Sequence, residues 1–399
     1  MPHSPVPAQE LRDRMDRLRA AMSEACPDWS MMILDNKIDL YYLTGTIQEG
    51  ALIVTPDEAA LFVRRSYDCA RADSLFPDIR PLGSFRMIAE AFPRIPETVH
   101  VAQRTMTLQK LAMLQKYLPF SKTAPADGVL GVLRSRKSAY ELDCMRHAGA
   151  IHAQALEKIT PALLREGISE ARLCGEICTW MLDRGAMGIS RFNQPAAEDV
   201  LGVCSFGENG LLETPNDSPT GTAGTSAAMK SIGSSTRLLR RDEPLLLDIP
   251  CGFRGYHTDK SISYFFGKLS RHPQGGLIRA AHEQCVFLER EAACLLTPGA
   301  VPSEIYQKLC AMSDPAFREG FMHGVKFFGH SIGLTMDETP VIARGFDQPL
   351  EAGQTFAIEP KIALNGIGLI GSENTYEVVS EGPARALSGT CGALFEIDG

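Results

Sequence analysis

The sequence predicts an α+β chain of two domains, and three observations carry that reading. Its 399 residues exceed the ~250–300 at which a single hydrophobic core usually stops growing. Apolar runs of strand length alternate with segments whose apolar residues recur every three or four positions. Near 133–137 the chain changes character, so the boundary is drawn at 1–134 and 135–399.

In the first part, Leu11, Met15, Leu18 and Met22 recur at helical spacing among Arg and Asp, which predicts an amphipathic opening helix. The apolar segments MMIL (31–34), IDLYYLTG (38–45) and ALIVTPDEAALFV (51–63) follow, and Pro56-Asp57 splits the last as a hairpin turn does. An α/β domain of about 130 residues results. In the second part, Leu142, Met145, Ala148, Ile151, Ala155 and Ile159 form a long helical stripe that ends before Pro161. A second helix is predicted from Ser169 as N-cap, through Leu173, Ile177 and Met181, to Gly185. Residues 198–235 are rich in Gly, Ser, Thr, Pro and Asn and predict a long ordered loop, a kind of segment that is commonly functional. PLLLDIPCG and SISYFFG predict two strands, about 274–296 a helix, and TFAIEPKIAL with GLIGSENTYEVV β-hairpins.

Composition narrows the function. Forty basic against forty-eight acidic residues leave a net charge of −8, which argues against nucleic acid or an anionic membrane as partner. Eleven cysteines without a CxxC pair predict free thiols in a reducing compartment. No apolar leader region and no run of 18 apolar residues occurs, so the expected location is the cytoplasm, without a membrane anchor. No GxGxxG or GxxxxGK[ST] loop appears, against a nucleotide enzyme.

The chemistry-bearing residues are carboxylates and one histidine. Asp248 ends the run LLLD and Asp259 opens DKSISYFF; a chain reversal at Phe253-Arg254 would set them opposite each other, a repulsive pairing unless a cation lies between. Glu359 and Glu373 stand in apolar strand-like segments, where an ionised carboxylate costs several kcal/mol unless paired or metal-bound. His330, between Gly329 and Gly333, adds one nitrogen donor to this oxygen set, a combination suited to a two-metal cluster of Mn²⁺, Fe²⁺, Co²⁺ or Zn²⁺. Each residue also has a plainer use: an Asp at a strand end caps turns, and a lone His is often a satisfied core residue.

In order and context these residues resemble the pita-bread metallopeptidases, the family of methionine aminopeptidases, prolidases, Xaa-Pro aminopeptidases and creatinase. The Asp pair, eleven residues apart, stands in DIPCGFRGYHTD; the histidine segment is GHSIGL, and FAIEP and SENT supply the two glutamates. YYLTG and LRSRKSAYELDCMRHA are similar to the amino-terminal domain and linker helix of the prolidase and creatinase branch. The fold implied is a creatinase-like N-terminal α/β domain followed by a C-terminal pita-bread domain. The resemblance further implies two divalent metal ions, with Asp248 on one, Asp259 and Glu373 bridging both, and His330 and Glu359 completing the second. A metal-bridging hydroxide would attack the scissile carbonyl, with Glu359 as proton shuttle. A homodimer is implied as well.

Two departures stand out. Where the family's peptidases carry an auxiliary histidine seven residues after the ligand histidine, this chain has Asp337; upstream of Asp248 it has none between His152 and His257. An ionised carboxylate would repel an oxyanion, so a catalytic Asp337 would have to be protonated, face a substrate cation or join the metal shell, while a structural Asp337 would cap a turn near Pro340. His257 is a candidate replacement, placed by strand alternation on the face of Asp259. Pro250 and Ser261-Ile262 also depart from the family's Gly and Thr-Arg. Asn216, Ser218, Thr220 and Ser226 in the long loop are candidate substrate contacts.

The expected function is a dinuclear metal-dependent aminopeptidase or dipeptidase of Xaa-Pro type acting on a small peptide. The rivals are a metal-dependent non-peptidase enzyme, a lyase or other hydrolase, on the same scaffold, and a non-catalytic binding protein.

Overall fold

The opening stripe is a helix, Ala8–Ala25, and all four of its apolar markers are buried. The structure, a computed structural model, describes residues 4–193, 198–199, 201–213, 217–389, 392 and 394–398. It divides into two units, Met1–Arg134 and Ser135–Gly399.

The first unit is a six-stranded sheet with helices. Its strands are β1 (Met32–Leu34), β2 (Gly50–Val54), β3 (Ala59–Val63), β4 (Ile79–Pro81), β5 (Thr98–Val101) and β6 (Lys122–Pro125), in the order β4-β3-β2-β1-β5-β6. β2 and β3 form the antiparallel hairpin that Pro56-Asp57 signals, and its turn is closed by Thr55, whose hydroxyl accepts from Glu58 N. The apolar segment 38–45 is a helix, Lys37–Thr44, because Asn36 Oδ1 accepts from Ile38 N and Asp39 N at its start and Gly45 ends it at φ 76°. Ile33, Ile53, Phe62, Val99 and Val101 centre the core.

The second unit opens with the striped helix Ala139–Gln154. Ser138 and Glu141 form a reciprocal capping box there, each side chain bonding the other's backbone N–H. Ser169 caps the next helix, Glu170–Leu182, through Arg172 N. The strands that carry the chemistry are β7 (Val203–Phe206), β8 (Glu243–Asp248), β9 (Cys251–Phe253), β10 (Tyr256–Thr258), β11 (Ser261–Phe266), β12 (Phe327–Ser331), β13 (Glu338–Ala343), β14 (Thr355–Ile358), β15 (Lys361–Leu364) and β16 (Gly368–Glu377). Seven of them order as β13-β12-β14-β16-β11-β8-β7, and β15 pairs with β16. β11 and β16 are buried along their whole length. The loop predicted over 198–235 is partly ordered into β7 and the 3-10 turn Gly207–Leu211.

Side chains alternate across β16 and divide its work. Ser372, Asn374 and Tyr376 turn to one face, where all three donate to the fully buried Glu289 of helix Gly275–Leu295. Glu373 therefore turns to the other face, towards the carboxylates below.

One register expectation is corrected. Asp248 pairs with Ser261, not with Asp259. The hairpin β9-β10 reverses at Arg254-Gly255, both with positive φ (49° and 91°), one residue later than Phe253-Arg254, and a one-residue move of the turn slides the pairing by two. Ser261 and Asp259 have the same parity, so the two aspartates are still diagonal neighbours.

Candidate metal centre

Five strands bring the donors together, within them or just beyond their ends. Asp248 ends β8, Asp259 precedes β11, and Glu373 on β16 lies opposite Ser261. His330 pairs with Ala357 of β14, and Glu359 follows β14 with its N–H on Phe328 O at 3.0 Å. Pairing of β12 with β13 slips on both sides of His330, an irregularity of the kind that re-aims a side chain. Gly329 permits the close strand contact here: a Cβ at that position would stand 2.1 Å from Ala357 O.

Two groups of three donors result, each with ligand atoms within 4.8 Å of one another: Asp259, His330 and Glu373; and Asp248, Glu359 and Glu373. All five residues that the sequence offers as metal ligands are thus in one place. Their supports are local. Thr220 donates its hydroxyl to Asp248 Oδ2, and Ser261 Oγ donates to Glu373 Oε2 at 2.6 Å. The Asp259 backbone is held by Thr375, whose hydroxyl accepts from Asp259 N at 2.8 Å and donates to Asp259 O at 3.0 Å.

A sixth residue belongs to the centre. Lys361 is fully buried, and its Nζ lies 2.8 Å from Glu359 Oε2, 2.9 Å from Glu373 Oε2 and 3.4 Å from Asp248 Oδ2. Burial works against the ammonium, but the three carboxylates outweigh it and hold it charged. Burial likewise opposes charge on Glu359, yet Lys361 and His330 bring it down to about 2. His330, 3.4 Å from Glu359 Oε1, is pushed up to about 9 by Glu359 and Asp259 against the cost of burial.

The remaining pair is left short of positive charge. Burial, and then the neighbouring carboxylates Glu373 and Asp248, push Asp259 well above the usual range. Glu373 is also pushed well up, by burial and by Asp248 and Glu359 despite Lys361, and its Oε1 is buried without a hydrogen-bond partner. An orphaned carboxylate oxygen beside a second carboxylate and an imidazole is the donor set a divalent cation satisfies, so Asp259, His330 and Glu373 fit a metal ion.

The other sequence candidates are placed as follows. Asp337 is half-buried and its carboxylate accepts from Asn193 N, in neither donor group. His257 is fully buried, with Nδ1 2.9 Å from Gly333 O and Nε2 unpartnered; burial lowers it to about 4. Thr220 reaches Asp248, and Ser218 Oγ accepts from Thr220 N at 3.2 Å. Ser218 also lines an open cleft of about 440 Å³ with Glu213, Asp217, His323 and Lys326. Ser226 lies in an exposed turn, where its hydroxyl accepts from Ala228 N, and Asn216 lies outside the described residues. Cysteines among the described residues are free thiols, and no described helix is long and apolar enough to cross a membrane.

Comparison with known proteins agrees with this layout. The sequence pattern of Metallopeptidase family M24 matches residues 143–380, and that of the Creatinase/Prolidase N-terminal domain matches 14–136. The Xaa-Pro dipeptidase of Pyrococcus furiosus is 21% identical over 94% of this chain and 97% of its own. Among solved structures, the X-Pro aminopeptidase of Thermotoga maritima superposes with a TM-score of 0.78 at 16% identity, over 96% of this chain and 99% of that one. The prolidase of Pyrococcus furiosus gives 0.75 at 20% identity, over 93% and 99%. With the family pattern spanning most of the second unit and its donors gathered on that unit's sheet, this chain belongs to metallopeptidase family M24.

Proposed function

We propose that the protein is a metal-dependent dipeptidase or aminopeptidase of Xaa-Pro type, acting on small peptides. The observation that carries this is the convergence of His330 with Asp259 and Glu373, in a chain that has an Xaa-Pro dipeptidase among its full-length relatives. A divalent ion held by these donors supplies Lewis acidity to a peptide carbonyl and lowers the pKa of water from 15.7 towards ~7.

The chain's own residues do the rest. Glu359 is the proton carrier of this proposal: its Oε1 faces His330 and its Oε2 faces Lys361, so either oxygen has a partner when the other takes a proton. Thr220 fixes Asp248, and Ser218 joins Thr220 to the neighbouring cleft, which makes these two the favoured substrate-side residues over Ser226. His257 and Asp337 remain candidates for catalysis, with Asp337 better suited to anchoring the segment at Asn193. Ion identity among Mn²⁺, Co²⁺, Fe²⁺ and Zn²⁺, assembly as a homodimer and a cytoplasmic location are part of the same proposal. Two ions are the family expectation.

A second reading, a lyase or other hydrolase on this scaffold, is favoured by one observation: a lysine ammonium lies among the ligands while Asp337 stands where a histidine is expected. Hydrolysis of an Xaa-Pro dipeptide panel by metal-loaded and chelator-treated protein separates the two. Metal-dependent cleavage supports the peptidase; a metal-loaded protein that cleaves none of the panel supports the second reading.

A further inference from the structure

We propose that Lys361 stands in for one of the two metal ions of this centre, so that the chain binds a single divalent ion, at Asp259, His330 and Glu373. This rests on the metal-enzyme reading above and goes beyond it in fixing the number of ions.

Three observations carry it. An ammonium has three N–H donors, and those of Lys361 have three carboxylate oxygens around them: Glu359 Oε2, Glu373 Oε2 and Asp248 Oδ2, at 2.8, 2.9 and 3.4 Å. The same three residues form one of the two donor groups. A divalent ion bonded to these oxygens at about 2.0–2.2 Å would overlap the volume that Nζ fills.

The lysine is built in. Lys361 lies opposite Gly371 in the β15-β16 pairing, and a Cβ at Gly371 would stand 2.6 Å from Lys361 Cγ. The side chain is fully buried, with its stem against Gly371 and its ammonium among three carboxylates, so stem and head are both held.

The oxygens divide accordingly. Asp248 Oδ2 is shared by Thr220 and Lys361, and Glu373 Oε2 by Ser261 and Lys361. Glu373 Oε1 is the oxygen without a partner, and Glu373 is the member common to both groups. It therefore faces Lys361 with one oxygen and offers the other to an ion beside Asp259 and His330.

The test is a metal count on the full chain saturated with Mn²⁺ or Zn²⁺ and desalted, by plasma mass spectrometry, for wild type, Lys361→Ala, Lys361→Arg and His330→Ala. The proposal expects one ion per chain for wild type and Lys361→Arg, two for Lys361→Ala, and none for His330→Ala. Two ions in wild type overturn it, as does a folded Lys361→Ala that still holds one. If Lys361→Ala does not fold, His330→Ala decides: loss of all metal supports a single site, and one retained ion at the Asp248 side contradicts it. A wild type that binds no ion overturns both this inference and the metal reading. The count needs no turnover, so failure to cleave dipeptides bears on the proposed activity alone.

Discussion

Lys361 and Gly371 face each other across β15 and β16, and the missing side chain of the glycine is the space through which the lysine reaches its carboxylates. A methyl group at 371 would meet the Lys361 stem at 2.6 Å. Gly371→Ala is expected to lower stability by about 1–3 kcal/mol, the usual range for overpacking a filled site. Urea denaturation of the metal-free protein measures it, and an unchanged midpoint would mean that the lysine is not seated as described.

Removing the ammonium has a larger consequence. Lys361→Met in metal-free protein leaves Glu359, Glu373 and Asp248 without their shared cation in a buried setting. Breaking one side of such a pair costs roughly 3–5 kcal/mol. The loss is expected to shrink when divalent metal is added, because a bound ion restores positive charge; denaturation with and without metal reads both effects.

Thr220 acts through Asp248. Its hydroxyl donates to Asp248 Oδ2 from a buried position, so Thr220→Val removes an orienting bond while keeping the shape. Asp248 in turn faces Lys361, and a hydrogen bond to a charged group is worth about 1.5–3 kcal/mol, so a loss of roughly 10–100-fold is expected in kcat/KM. Thr220→Ser should restore most of it; a valine variant with wild-type rates would remove Thr220 from the site.

Two buried histidines outside the donor groups set an acid limit. Burial and the nearby Lys260 lower His152 to about 3, and burial lowers His282 to about 4. Both are neutral in the folded chain, while in the unfolded chain they take up protons near the ordinary 6.5. The folded-state values are depressed, so their stabilising contribution is complete above about pH 6.5 and is lost as pH falls towards 4 and then 3, by an amount on the order of a few kcal/mol. His152→Gln should flatten this acid limb of the stability profile, and an unchanged limb would assign it to other groups.

The sequence reveals the five candidate donors because each is an ionisable residue in an apolar or glycine-bounded context, and their order carries the family resemblance. The same logic could have found Lys361. It stands one residue past FAIEP in the apolar run KIAL, and a lysine there is as costly to bury as Glu359 unless the two meet. What sequence spacing does not give is register: placing the reversal at Phe253-Arg254 instead of Arg254-Gly255 moves the partner of Asp248 by two residues. Nor does spacing say which loop hydroxyl turns inward. Ser218, Thr220 and Ser226 are alike as residues, yet Thr220 is buried on Asp248 and Ser226 is exposed, a difference set by tertiary packing. The helix after Ser169 is legible because that residue acts locally on the first backbone N–H groups after it, whereas helix Lys37–Thr44 reads only as an apolar segment until its Asn36 cap is seen.

The proposed activity depends on metal held by His330, so one comparison matters above others: the rate of Xaa-Pro dipeptide hydrolysis by wild type and His330→Ala, each with saturating Mn²⁺ and after chelation. Wild type should cleave with metal and stop when chelated, and His330→Ala should lose ~100-fold or more, since losing a ligand costs at least as much as losing its supporting partner. Equal cleavage by chelated wild type, or by His330→Ala, would contradict a metal-dependent peptidase at this site.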